Sequence, residues 1–311
     1  RRPTDARGAR LGGGKVRSAL SAGAEKVLLA GASGRLGREI LSELNRRGYV
    51  VRALVRDTAR LEAEEARGVE TFVGDARTRA AIAGVCEGAS AVVSALGASL
   101  QLKYTRDGSG YREVDYLANL NLLAEALKAR ARKFVYVSLH GADALRGTAY
   151  ADAHEEFVRE LKASGMDYAV VRPTGFFYVF AEFLKMARRG RAVVVGDGSA
   201  RTNPVHERDV ARVCVESLEA PARGEVSVGG PRVYTRREIA ELAFRATGRA
   251  PKITRAPAPL MRALSLPVRP FDRRLYDLLD FGVAASTVDL VAPQVGTHTL
   301  EDYFRMLSEK Q

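Results

Sequence analysis

The stretch TAYADAHEEFVRELKASG (148–165) sets Tyr150 and His154 four positions apart at the head of a helical pattern, so a phenol and an imidazole share one helix face. A free phenol titrates near ~10 and an imidazole near ~6.5, so the pair can relay a proton to a bound group. The same spacing also suits a packed amphipathic face with two wet tips. Asp152, Glu155 and Glu156 are the nearby carboxylates that could charge the imidazole.

A second constellation lies upstream. VLLAGASGRLGREI (27–40) holds Gly31, Gly34 and Gly37 as G-x-x-G-x-x-G between an apolar run and a helical pattern. In that setting Gly31 permits a tight turn, Gly34 lets the backbone approach a pyrophosphate, and Gly37 lets the helix pack close on the strand. Helix-start N–H groups attract the anion, and Ser33, Arg35 and Leu36 complete the dinucleotide-facing loop. The next apolar run ends in ALVRDTAR. Arg56 at its tip, with Arg60 a turn later, favours NADP(H), because a guanidinium can grip the 2′-phosphate. Asp57 keeps NAD(H) open, since a one-residue shift would present a carboxylate to the ribose instead.

The remaining candidates are weaker. GFFYVF (175–180) supplies Phe176, Phe177 and Tyr178 either to an apolar pocket or to the core. His140 reads as a loop residue and His206 as a hydrogen-bonded turn residue. The four dispersed histidines and two distant cysteines match no metal-ligand spacing.

These residues need a scaffold, and the pattern supplies one. Short Val-rich runs at 26–30, 49–55, 69–74, 89–96, 133–139 and 167–173 alternate with helical stretches such as 111–130 and the Leu36, Ile40, Leu44 stripe. That alternation predicts an α/β fold with a doubly wound parallel sheet, its strands covered on both faces. Beyond Pro173 the pattern loosens into a helix at 175–190, a strand at 192–196, a helix at 207–220, a strand at 225–230 and a helix from Thr235. Pro-broken amphipathic segments at 256–281 predict a small, mostly helical C-terminal lobe, with 278–296 as a lid. The expected division is a basic leader at 1–25, a nucleotide-binding domain at 26–230 and a substrate lobe at 231–311.

Composition sets the outer limits. The 311 residues are 46% hydrophobic, which excludes disorder throughout, and no apolar run reaches the roughly 18 residues that span a bilayer. Cys86 and Cys214 form no CxxC pair, so a reducing compartment and a soluble protein are expected. The net charge of +12 suits anionic ligands such as phosphates, whereas scattered arginines without interleaved aromatics argue against nucleic acid. The first 26 residues hold seven cations and two anions in a Gly/Ala/Ser-rich setting, which fits a flexible extension or an organellar, for instance plastid, targeting segment; the cytoplasm is the other location.

As an ordered series, GASGRLG (31–37), VRD (55–57), GDAR (74–77), VVSALG (92–97), FVYVSLHGA (134–142), SGMDYAVVRPTGFF (164–177), NPVHERDVA (203–211) and VGGPRVYTRREIAELA (228–243) resemble the atypical short-chain dehydrogenases/reductases. These are the NmrA-like and divinyl chlorophyllide reductase-like NAD(P)-binding Rossmann proteins. The resemblance implies that Asp75 lies beside the adenine, that Ala95, Leu96 and Gly97 line the cofactor ribose, and that Pro173, Thr174, Gly175 and Phe176 sit near the nicotinamide. It also implies catalytic roles for Ser138, which would orient a substrate oxygen, and for Tyr150, which would protonate it. His154 stands where the superfamily has a lysine, and an imidazole lacks the fixed charge that lowers a tyrosine pKa. The resulting expectation is hydride transfer to a carbonyl or conjugated C=C of an apolar small molecule. The rival is a non-catalytic NAD(P)-binding sensor or assembly factor with a protein partner.

Overall fold

Val27, Leu28, Leu29 and Ala30 of the first strand are fully buried, as an apolar run covered on both faces must be. The computed structural model describes residues 25–61, 68–100, 110–221 and 223–309. The leader at 1–24 and the Arg60 side chain lie outside the described residues. The strands are β1 (Lys26–Ala30), β2 (Val50–Val55), β3 (Glu70–Val73), β4 (Ala91–Ser94), β5 (Lys133–Val137), β6 (Asp167–Pro173), β7 (Ala192–Val195), β8 (Arg201–Thr202), β9 (Gly224–Val228), β10 (Tyr234–Thr235) and β11 (Ile253–Ala256). The helices are α1 (Arg35–Arg46), α2 (Ala118–Lys128), α3 (Ala149–Ala163), α4 (Phe177–Arg188), α5 (Glu207–Glu219), α6 (Arg236–Ala246), α7 (Ala258–Ser265), α8 (Arg273–Thr287) and α9 (Leu300–Glu309).

Seven strands form one parallel sheet in the order β3-β2-β1-β4-β5-β6-β9. Alternate side chains serve opposite layers. Leu28, Ala30, Val92, Phe134 and Tyr136 meet α2 and α3 through Leu122, Phe157 and Leu161. Val27, Leu29, Val93, Val135 and Val171 meet α1 and α5 through Ile40, Leu44, Val210 and Cys214. This is the doubly wound arrangement the sequence predicts. Chain order reverses between β1 and β4, and a parallel sheet opens its ligand crevice at such a switch point.

A third core lies beside the sheet, where Phe177, Phe180, Leu184, Val194, Ile239, Phe244, Leu300 and Phe304 join α4, β7, α6 and α9. The 192–196 run forms β7 outside the main sheet, paired in parallel with β11, a strand the sequence pattern did not suggest. Its β-branched residues favour an extended chain, but tertiary packing chooses the partner. Thr235 and Glu238 close a reciprocal capping box on α6, worth about 1 kcal/mol for such a cap. The segment after α8 is fastened down: Asn203 accepts from Ala292 N (3.0 Å) and donates to Ala292 O (2.8 Å), and Gly296 N donates to Gly229 O (2.9 Å).

The helix read over 111–130 departs from expectation at its start. Arg112–Leu117 is a π-helical turn that becomes regular only at α2. Asn119 Nδ2 donates to Asp115 O at 3.0 Å, capturing a carbonyl that the regular ladder would use. The Asp115 carboxylate meanwhile accepts the Ala98 N–H at 3.1 Å. Widened turns of this kind often accompany functional sites.

Candidate functional site

The glycine loop fits a dinucleotide. Gly31 has φ +82°, and a Cβ on it would stand 2.7 Å from Ala95 O. A Cβ on Gly37 would stand 2.0 Å from Gly31 O, so α1 approaches β1 at a distance only glycine permits. A Cβ on Gly34 would meet only Gly31 O, at 3.2 Å, and α1 starts without a side-chain cap or an acid in its first turn. Its first-turn N–H groups therefore remain available to an anion. Ser33 and Leu36 are half-buried, and exposed Arg35 stacks its guanidinium 5.3 Å from the Tyr178 ring centre. Opposite the loop, Ala95, Leu96 and Gly97 leave β4. Ser94 Oγ donates to Asn119 at 2.5 Å and Asp115 holds Ala98, so this segment is fixed at both ends.

At the tip of β2, Arg56 is exposed and forms no hydrogen bond with the described residues. Asp57 is committed locally, its side chain accepting from Ala59 N at 3.0 Å. Asp75, half-buried at the neighbouring strand end, is gripped by Arg77, with Nη2 at 2.6 Å. The Arg77 hydrogen bond holds its carboxyl below the usual range, and the field of Arg56 contributes in the same direction.

The proposed proton-transfer residues fall into two groups. Tyr150 is half-buried and packs edge-on against Tyr111 (5.2 Å), His154 (4.6 Å) and Phe281 of α8 (4.7 Å). Burial, and secondarily the Asp115 charge, pushes its pKa well above the ordinary phenol value. His154 turns inward instead. Its Nδ1 lies 2.6 Å from the Tyr136 hydroxyl, and its Nε2 lies 3.2 Å from Asp115 Oδ1 at an angle outside hydrogen-bond geometry. Burial raises the Tyr136 pKa as well, so that phenol stays protonated, between His154 Nδ1 and the Asp115 carbonyl oxygen, to which it donates at 3.3 Å. Ser138 is buried on the same side of β5, where its Oγ accepts from Arg172 at 3.3 Å. Arg172 also binds Glu155 (2.6 Å) and Glu225, which in turn pairs with Lys162.

The aromatic segment splits. Phe177 is core, whereas Phe176 and Tyr178 are half-buried and stacked at 5.7 Å. The lead-in is rigid: Pro173 O accepts from His140 N, Thr174 Oγ1 donates to Asn203 O at 2.6 Å, and a Cβ on Gly175 would touch the Phe180 ring at 2.8 Å.

A family model described as NAD(P)H-binding matches residues 31–221. The chain belongs to that family. Within these NAD(P)-binding atypical short-chain dehydrogenases/reductases it is 30% identical over 256 residues to the chloroplastic divinyl chlorophyllide a 8-vinyl-reductase of Oryza sativa, covering 76% of this chain and 62% of that one. It is 25% identical over 297 residues to a photosystem II assembly factor of Synechocystis, covering 90% of each. The chain therefore spans less than two thirds of the length of the rice reductase. A solved NADPH-dependent quinone oxidoreductase of Escherichia coli, in complex with NADPH, superposes with a TM-score of 0.74 at 20% identity, covering 90% of this chain and 99% of that one. That likeness shows the fold.

In this NAD(P)-binding protein several partners of the site went unread in the sequence. Asp115 carried a legible signal, being an acid on the apolar stripe of a helix, and an acid there needs a buried donor. Arg172, inside a strand, carried a similar one. Glu207 is buried at the start of α5, and burial raises its pKa against the opposing field of Arg35. Among the described residues no three His, Cys, Asp or Glu side chains converge as a metal site would require.

His206 does sit in a turn, capping α5 by accepting from Arg208 N at 3.1 Å. Burial, with His298 stacked 4.6 Å away and Arg208 nearby, depresses its pKa to about 4. The unfolded chain then binds a proton that the native ring refuses. Stability falls as pH drops from about 6.5 toward 4, by roughly 2–3 kcal/mol in all. His206→Asn retains a capping side chain and is expected to flatten that slope in urea titrations between these pH values. An unchanged slope would assign the proton uptake elsewhere.

Proposed function

We propose that this chain is an NADP(H)-dependent reductase of the plastid, delivering hydride to a carbonyl or a conjugated C=C of an apolar small molecule. Tyr150 carries the reading. It is a phenol kept protonated, set among aromatic rings and within the electrostatic reach of Tyr178, on which Arg35 of the glycine loop stacks. A nicotinamide, when bound, supplies a hydride. The chain's own residues have three tasks. The α1 N-terminus and the glycine loop hold the pyrophosphate, Arg56 meets the 2′-phosphate, and Tyr150 gives its hydroxyl proton to the oxygen or carbon that gains electron density. Phe176, Tyr178 and Phe281 offer an apolar wall that excludes water from the reduced bond. The plastid assignment is supported by the rice relative, named chloroplastic.

The test is oxidation of NADPH by a panel of enones, quinones and aldehydes, followed at the nicotinamide absorbance. Failure of every acceptor despite tight cofactor binding would sink the reductase reading. Cofactor choice is tested separately. Arg56→Glu is expected to weaken NADPH binding by about 10- to 100-fold, from loss of a charge-assisted contact and added repulsion, while NADH binding changes little. Equal losses for both would remove Arg56 from the 2′-phosphate.

A second reading has one specific observation in its favour. His154 is turned toward Tyr136 and Asp115, and an imidazole stands where the superfamily's lysine would offer Tyr150 a fixed ammonium. A protein that keeps the dinucleotide and gives up the chemistry would look like this, and a relative is named an assembly factor. Cofactor-dependent co-purification of a partner, together with no turnover, would select it.

A further inference from the structure

Residues 242–271 contain no aspartate or glutamate, yet they hold Arg245, Arg249, Lys252, Arg255, Arg262 and Arg269. Within the same stretch four large apolar side chains stand in solvent: Leu260 at 52%, Leu264 at 64%, Leu266 at 54% and Phe271 at 90% exposure. Other exposed large apolar residues, such as Val73 and Leu127, stand singly along the chain. The clustering is built in. Leu260 and Leu264 share one stripe of α7, while Ser265 is buried and α7 packs on α8. Pro267 and Pro270 stiffen the turn that follows, and Asp272 caps α8 through Leu275 N at 2.8 Å, which holds Phe271 outward.

The chemistry of this face selects its occupant. Between Ala256 and Phe271 the sole uncharged polar side chain is the buried Ser265, so this stretch itself presents hydrocarbon and guanidinium, with Asp280 of α8 3.8 Å from Arg262 and the Tyr276 ring under Arg269. A specific protein interface uses amide and hydroxyl groups for register and pairs opposite charges. A marked excess of positive charge around bulky apolar side chains instead complements a fluid boundary of acyl chains and phosphates.

We propose that the face formed by α7 and the turn into α8 docks on the surface of an anionic lipid bilayer. Leu260, Leu264, Leu266 and Phe271 enter the boundary between headgroups and acyl chains, and Arg255, Arg262 and Arg269 meet lipid phosphates. This surface binding stands whether or not the chain is a reductase.

Flotation of the full chain with vesicles of phosphatidylcholine, and of phosphatidylcholine with phosphatidylglycerol, tests it. Binding to the anionic vesicles is expected, weakened at least tenfold when salt is raised from about 0.05 to 0.5 M. Leu264→Ser with Phe271→Ser should lower anionic-vesicle binding at least tenfold at an unchanged thermal midpoint, since both side chains are already in solvent. Arg262→Gln with Arg269→Gln should do the same. The proposal is overturned if the chain floats with neither vesicle, including the case in which the patch binds an acidic protein instead. It is also overturned if the serine variant floats like wild type, or if wild type dimerises through this face and ignores vesicles.

Discussion

Tyr150→Phe is expected to lower NADPH-dependent turnover of an accepted enone or quinone by about 10²- to 10³-fold, with little change in cofactor affinity. The substitution keeps the ring that packs against Tyr111, His154 and Phe281 and deletes only the hydroxyl. Because burial and Asp115 hold the phenol protonated, the wild-type rate should show no loss of the acid form between about pH 6 and 9. In a superfamily enzyme with lysine at position 154, the tyrosine would titrate lower. His154→Lys therefore makes a second arm, although it places an ammonium beside Tyr136 and Asp115 in the core. Full activity in Tyr150→Phe would move proton delivery to water or another group.

Gly37→Ala is expected to reduce dinucleotide binding more than 100-fold. Its Cβ would lie 2.0 Å from the carbonyl oxygen of Gly31, a backbone atom that cannot swing aside. Either α1 retreats from β1 by over an ångström, or the Gly31 turn opens. Both outcomes displace the N–H groups proposed to meet the pyrophosphate, and an ångström of misplacement can cost two orders of magnitude. Isothermal titration with NADPH measures the loss, and circular dichroism reports whether the fold survives. Gly34→Ala, which meets only Gly31 O at 3.2 Å, should be much milder toward folding. Wild-type affinity in Gly37→Ala would show that the loop does not hold the cofactor.

The centre of the sheet was legible because β1, β4, β5 and β6 are largely apolar on both faces and each leads into a helix, whereas the edge strands β3, expected to be covered on both faces, and β9 are largely exposed or half-buried where no neighbouring strand or helix shields them. Residues 167–173 were bounded correctly to the residue, since Gly165 and Pro173 punctuate them. The glycine loop was legible for the same reason, its spacing being dictated by backbone contact. What the sequence could not supply was direction. Nothing in the i, i+4 spacing of Tyr150 and His154 says that one ring faces the α8 lobe while the other turns toward Tyr136, a residue 18 positions earlier. The strand at 253–256 was hidden too, because four residues between prolines carry little periodicity and take their form from β7.

The third core has a consequence for how the chain is made. It is assembled from residues 177–195, 236–256 and 300–304, and Leu300 and Phe304 are fully enclosed only when all three are present. During vectorial synthesis the sheet through β6 can pair as it emerges, but the lobe waits for residues far downstream. Until α9 arrives, Phe177, Leu184 and Phe244 have no cover on that side. The interval between β6 and α9 is thus the period in which the nascent chain most needs a chaperone.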